Sequence, residues 1–373
     1  MRVMLNALQA ANRSGTGRHV TGLVCAFASL PGAPVFDVAW PAGQPLPAVA
    51  PHIHYHPTTV AHGRRLLADQ IRLPAYANAQ GVDLLHYPAN VGPLRRCGCP
   101  VVLTVHDCSF IENPAWFRWE RAQYYRYAVG RSARLADRII TVSRFAADSI
   151  RDWLGLPEDR VDVVYNGVRP LFSPRDAAAQ AAVREKYALP ERFFLFVGTL
   201  EPRKNLERLV RAYSAVVKRD VGEVLVIAGR LGWKQSFIKG FKNTGARSAH
   251  VRVLGHVPDA DLPALYAAAR AFVWPSLYEG FGLPVAEAMA CGAAVLTSST
   301  TALPEIAGDA ALLVDPEDES AIAAGLCRLS QDDELVTRLR EKGPGQAAPF
   351  SWESAARGTA AVYMEVLKNA AGG

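Results

Sequence analysis

Two carboxylates, Glu279 and Glu287, flank a glycine turn in the stretch SLYEGFGLPVAEAM, residues 276–289. The apolar run AFVW precedes it and reads as a buried strand; VAEAMACG reads as a helix closed by Gly292. Gly280 and Gly282, on either side of Phe281, carry no Cβ and let the backbone approach a ligand. After Leu283, Pro284 suits a first helical turn, where its missing N–H costs nothing. Such a turn offers N–H groups and the positive end of a helix dipole to an anion. Carboxylates beside an anion site have to hold something else, and the hydroxyls of a ribose or a sugar fit. The plainer alternative is a strand–turn–helix with two solvated glutamates.

A second set is cationic. Arg203 and Lys204 lie in GTLEPRKN, residues 198–205, after the apolar run FFLFV and at the start of a helix from Leu206. A guanidinium and an ammonium beside a helix N-terminus make a diphosphate trap. A third set is His86, after DLL, and His106-Asp107, after VVLTV. Ligands of open α/β sheets sit at the carboxyl ends of strands, which is where these histidines fall. Metal-ligand spacing is poor throughout. His52, His54 and His56 alternate and share one face of a strand. They lack a companion carboxylate or thiol, and an exposed loop or edge strand is the plainer reading. Asp259 and Asp261 spell D-x-D, but Asp259 reads better as the N-cap of a helix over Leu262–Ala269. Six cysteines show no C-x-x-C pair. No metal and no cofactor are expected.

The elements that must position these residues alternate strand, glycine turn and helix, the pattern of parallel α/β sheets. Val3–Leu8 reads as the first strand, residues 14–18 (SGTGR) as a glycine loop with Gly15 and Gly17, and His19–Leu30 as a helix. A dinucleotide fingerprint would need a further glycine where Val20 stands, so a nicotinamide site is disfavoured. Ser143 reads as a helix N-cap, and Asn166-Gly167 as a turn. Residues 169–190 read as a linker with a short helix. Residues 231–249 look like a mobile loop or hairpin, and helices are expected over 318–341 and 351–370.

At 373 residues the chain has room for two domains. Its hydrophobic content of 50% supplies a large core, and no apolar run reaches the ~18 residues that span a bilayer. A cytoplasmic protein is the default. The net charge of +6 invites anionic partners. Residues 115–138 mix Trp, Tyr and Arg at helical spacing and read equally as a membrane-surface helix or a packed helix with snorkelling arginines.

The stretch 276–289 resembles the paired-glutamate motif of retaining GT-B glycosyltransferases, the large family-four group. The resemblance spans nearly the whole chain and is strongest over 193–320. It implies an α/β fold of two Rossmann-like doubly wound parallel-sheet domains facing across a cleft. These would be 1–170 on the acceptor side, 171–350 for the nucleotide sugar, and 351–373 as a helix crossing back. It implies that Glu287 holds the donor ribose and Glu279 the transferred sugar. The backbone of Gly280, Phe281, Gly282 and Leu283 would meet donor phosphate and sugar hydroxyls. Arg203 and Lys204 would take the pyrophosphate, His106 would lie near the sugar, and Val257 near the base. Gly15 and Gly17 would approach donor phosphates or acceptor.

The implied reaction is metal-independent transfer of a hexose, with retention, to a hydroxyl of a glycan or lipid-linked glycan. The SGTGRHV opening is similar to bacterial mannosyltransferases of surface polysaccharide assembly and favours GDP-mannose over UDP-glucose or UDP-N-acetylglucosamine. Family members that use a basic helical face against lipid-linked acceptors give 115–138 a place on the inner face of the membrane. A nucleotide-sugar epimerase is the enzymatic alternative. A nucleic-acid-binding protein is the non-enzymatic one, but it leaves Glu279 and Glu287 without a role, since carboxylates repel phosphates. No nucleic acid is expected as a partner.

Overall fold

The computed structural model describes residues 1–12, 15–59, 68–217, 221–230 and 250–372. The expected loop at 231–249 lies outside the described residues. The chain divides into two units. Unit 1 comprises Met1–Gly167 and Phe350–Gly373; unit 2 comprises Val168–Pro349.

Unit 1 is built on seven parallel strands: β1 (Arg2–Asn6), β2 (Val35–Pro41), β3 (Ile53–Thr58), β4 (Leu84–Tyr87), β5 (Val101–Thr104), β6 (Arg138–Thr141) and β7 (Val161–Val163). Their order is β3-β2-β1-β4-β5-β6-β7. The order reverses between β1 and β4, the topological switch point where α/β sheets bind ligands. Unit 2 carries six parallel strands: β8 (Phe193–Val197), β9 (Val224–Ala228), β10 (Val251–Gly255), β11 (Ala271–Trp274), β12 (Val295–Ser298) and β13 (Leu312–Val314). Their order is β10-β9-β8-β11-β12-β13, with the switch between β8 and β11. The continuous apolar runs follow from this placement, because a strand covered by helices on both faces needs apolar side chains on both. Phe193, Phe194, Leu195 and Phe196 are all fully buried, as are Phe272 and Val273 of the neighbouring strand.

Five helices matter for the site: α1 (Gly15–Ser29), α2 (Trp119–Leu135), α3 (Leu206–Val216), α4 (Leu283–Ala290) and α5 (Trp352–Gly372). Helix α5 packs on α1 and completes the core of unit 1, where Trp352, Ala356, Val362 and Tyr363 join Val3, Leu5, Val20 and Leu23. Ser143 caps its helix as expected, accepting from the Ala146 N–H at 3.0 Å.

Several local expectations need correction. Helix α1 begins at Gly15, not His19, so Gly15 and Gly17 lie in its first turn and there is no glycine loop over them. A Cβ at Gly17 would stand 1.6 Å from the Asn12 carbonyl oxygen, so this glycine lets the chain entering the helix press on its first turn. Asp259 is not the N-cap residue of the helix that follows it; it pairs with Arg169 at 2.8 Å. The helix after it spans Leu262–Ala268, and Asp261, at its N-cap position, accepts instead from Lys186 at 2.7 Å and the Tyr187 hydroxyl at 2.6 Å. The alternating histidines do not converge either. His52 bonds the Phe27 carbonyl, His56 pairs with Asp37 at 2.8 Å, and His54 is exposed. Among the described residues no His, Cys, Asp and Glu group has the makings of a metal centre.

Candidate donor site

The switch point of unit 2 gathers the charged residues. Past the end of β8 the chain makes a short 3-10 turn, Pro202–Lys204, before α3. Arg203 and Lys204 therefore belong to that turn and not to the helix. Asn205, at φ 59°, redirects the backbone into α3, and its side-chain amide donates to the carbonyls of Pro275 at 2.9 Å and Pro316 at 2.6 Å. Asn tolerates this left-handed conformation better than a branched residue would. The loop after β11 is tied to the same turn. The Leu277 N–H and the Ser276 hydroxyl both donate to the Arg203 carbonyl, at 2.8 and 3.0 Å.

This places Glu279 against both cations. The Lys204 ammonium donates to one Glu279 oxygen at 2.6 Å, and the Trp274 indole donates to the same oxygen at 3.0 Å. The Arg203 guanidinium reaches the other oxygen at 3.3 Å and the Tyr278 carbonyl at 3.2 Å. Glu201 completes the cluster: it accepts from Arg203 Nε and lies 3.8 Å from the Lys204 ammonium. Glu279, Lys204 and Glu201 are 6, 6 and 8% exposed, so these are buried ion pairs and not a solvated face. Burial pushes the Glu279 carboxyl up, but Lys204 and Arg203 outweigh it and hold it below the usual carboxylate range. Burial, then Arg203, lowers the Lys204 ammonium, against the pull of Glu279 and Glu201.

Beyond Glu279 the turn runs into α4. Gly282 occupies the N-cap position at φ 99°, a left-handed conformation that favours glycine, and a Cβ there would also press on a Leu303 methyl at 2.6 Å. Leu283 and Pro284 open the helix. Phe281 is buried, and Glu287, in the second turn of α4, is 3% exposed. The alternative of two solvated glutamates is thereby excluded. Val257, two residues past β10, is buried as well. Sequence reasoning named Glu279, Arg203 and Lys204, but it missed Glu201, Trp274 and Asn205. Glu201 lies in GTLEPRKN, two residues before Arg203, and that spacing was the available signal.

His106, Gly15 and Gly17 belong to unit 1. His106 follows β5. Its backbone N–H donates to the Asn90 side chain at 2.8 Å, and its ring meets His19 edge-on at 4.7 Å between centroids. His19, on α1, bonds Asn166 at 2.7 Å through Nδ1, joining the two flagged stretches SGTGRH and NGV. Its Nε2 is buried and makes no hydrogen bond. His86 is fully buried between the Tyr363 hydroxyl at 2.6 Å and the Thr104 hydroxyl at 2.9 Å. Burial lowers all three imidazoles, His19 to about 3 and His106 to about 4, so they are neutral near pH 7.

Residues 180–346 match the family described as Glycosyl transferases group 1, and residues 13–170 match Glycosyltransferase Family 4. O-antigen chain mannosyltransferase B of Escherichia coli is 39% identical over 264 residues, 70% of this chain and 69% of that one. The serotype-specific mannosyltransferase WbdA of Escherichia coli is 34% identical over 226 residues, 59% of this chain but 28% of that much longer one. The sucrose-phosphate synthase of Thermosynechococcus elongatus has the same fold, with a TM-score of 0.78 at 21% identity over 99% of this chain and 100% of that one. With its two parallel-sheet units, the chain belongs to the GT-B glycosyltransferases of group 1 and family four, and it is a glycosyltransferase.

Proposed function

We propose that the protein transfers mannose from GDP-mannose, with retention at the anomeric carbon, to a hydroxyl of a glycan or lipid-linked glycan in surface polysaccharide assembly. The observation that carries the donor side is the meeting of Arg203, Lys204 and Glu279 beside the N-terminus of α4. The sugar is argued from the mannosyltransferases it is similar to. In this reading the two cations and the α4 backbone take the diphosphate, Glu287 the ribose, and Glu279 the hexose. Front-face attack passes through an oxocarbenium-like transition state, so the protein's work is to stabilise the leaving diphosphate. Arg203 and Lys204 supply that charge, and the reaction is independent of divalent metal; activity is expected to survive EDTA.

A thermal-shift screen over GDP-mannose, UDP-glucose and UDP-N-acetylglucosamine tests the donor. A shift with a UDP-sugar and none with GDP-mannose would replace the first donor by the second. The two glutamates separate by kind: Glu287→Ala weakens free GDP, whereas Glu279→Ala lowers the transfer rate far more than it lowers GDP affinity. The same pair of measurements bears on the epimerase alternative, which requires no acceptor. A nucleic-acid site is a poor fit to a cluster whose cations are already paired with carboxylates.

Among the described residues no helix is long and apolar enough to cross a membrane. Helix α2 presents Trp119 at 73% exposure and Tyr127 at 65%, with Arg118 beside its first turn. These amphipathic rings and arginines suit an anionic membrane surface, which would bring the enzyme to a lipid-linked acceptor on the cytoplasmic face. Sedimentation with phosphatidylglycerol vesicles, lost in Trp119→Glu, checks it.

A further inference from the structure

Resting on the donor-site reading above, we propose that Glu201 is a positioning residue and built-in counter-ion. It seats Arg203 and Lys204 and competes with the nucleotide diphosphate for them, so that the diphosphate product leaves.

Glu201 opens the same 3-10 turn that carries both cations. Its carbonyl accepts from the Lys204 N–H at 3.0 Å, and the Pro202 carbonyl accepts from the Asn205 N–H at 3.0 Å. One turn thus fixes an acid and two cations on a single short backbone segment. The Glu201 carboxylate takes Arg203 Nε and stands 3.8 Å from Lys204, while Glu279 takes Arg203 Nη1 and Lys204 from the other side. Arg203, Lys204, Glu201 and Glu279 together sum to no net charge. The Arg203 side chain is 26% exposed, whereas those of Lys204, Glu201 and Glu279 are 7–8% exposed, so solvent meets the cluster through the guanidinium. An arriving diphosphate therefore exchanges partners with carboxylates and does not add to unpaired cations. Glu279 is already committed to the sugar in the proposed mechanism. Glu201 has no such task, and its charge opposes the diphosphate throughout the cycle. A residue of this kind tunes affinity downward, which a purely structural carboxylate does not do.

The test uses the full chain with GDP, UDP and ADP as probes, by calorimetry for affinity and stopped flow for release. Glu201→Gln keeps an acceptor for Arg203 Nε and loses the charge. It is expected to bind the diphosphate that the wild type prefers roughly tenfold more tightly and to release it more slowly, as one fewer competing charge near the site implies. Glu201→Asp keeps the charge but draws it back by one methylene, so its gain is smaller and in the same direction. It remains informative if the Gln variant does not fold. Unchanged or weaker diphosphate binding in folded variants overturns the inference and leaves the donor-site reading standing. A wild type that binds none of the three diphosphates overturns the donor-site reading, and this inference with it.

Discussion

The two switch points use one architecture for opposite electrostatics. In unit 2, the loops after β8 and β11 bury full charges against each other: Lys204 on Glu279 at 2.6 Å, with Arg203 and Glu201 beside them. In unit 1, α1, β4 and the chain after β5 bury or partly bury His19, His86 and His106 as neutral rings: His19 bonds Asn166, His86 bonds Thr104 and Tyr363, and His106 faces the Pro88 carbonyl at 3.4 Å. Parallel sheets with reversed strand order supply the position in both cases. The residue types decide whether the position holds paired charges or stays uncharged. Buried ion pairs are also the more fragile arrangement, because loss of one partner strands a charge that was taken out of water.

The largest effect expected from that difference is at Lys204. Lys204→Met leaves Glu279 and Glu201 with Arg203 as their remaining cation, and should lower stability by about 3–5 kcal/mol and transfer by ~10²–10³. Chemical denaturation and single-turnover rates measure the two. A loss below 1 kcal/mol would mean the cluster is far wetter than its burial indicates. Next is Arg203→Ala, which should weaken nucleoside diphosphate binding by about 1.5–3 kcal/mol, the range for a hydrogen bond to a charged group. Calorimetry on the folded variant reads it directly. On the neutral side, His19→Phe should cost about 1–3 kcal/mol, since it leaves the buried Asn166 amide without its ring partner. Its effect on diphosphate affinity should be nil, which sharpens the division of labour.

The last effect is spread over several pH units and separates the regions by their titration. The unfolded chain's histidines take up protons near 6.5, whereas His19 and His106 resist until about 3 and about 4. Below 6.5 the unfolded chain therefore binds protons that the native state does not. Stability should fall below pH 6.5 by up to on the order of 1 kcal/mol per pH unit for each ring, until about 4 for His106 and about 3 for His19. Over most of that window the unit 2 cluster is silent. Glu279 has a lowered value, so its contribution is present above its ordinary carboxyl range and is lost only as pH falls through the lower one. Urea midpoints at pH 7, 6 and 5, with His19→Phe flattening the slope, check the assignment.

The strands were legible because parallel strands covered on both faces must be apolar throughout, and FFLFV and AFVW declare this. Glu279, Arg203 and Lys204 were legible because each sits just past such a run, where a sheet delivers its loops. What escaped depended on how the folded chain closes around each residue. Nothing local to Glu201 says that its carboxylate meets Arg203 in a turn closed by the loop after β11. Nothing local to His19 says that it reaches Asn166. The start of α1 escaped for a different reason. Gly15 and Gly17 read as loop, while Gly17 in fact serves a close approach of Asn12 within helical geometry. Asp259 and Asp261 both found partners distant in sequence, Arg169 for the first and Lys186 and Tyr187 for the second.

The return of α5 to unit 1 has a consequence for synthesis. The core around Val3, Leu23 and the His86 ring waits for Trp352 and Tyr363, which the ribosome makes only after all of unit 2. At ~5–20 residues per second that wait lasts roughly ten to forty seconds, during which unit 2 can fold as an uninterrupted piece. The unit that is translated first is thus the last to be finished, and for that interval its first helix shows the apolar face that α5 will cover.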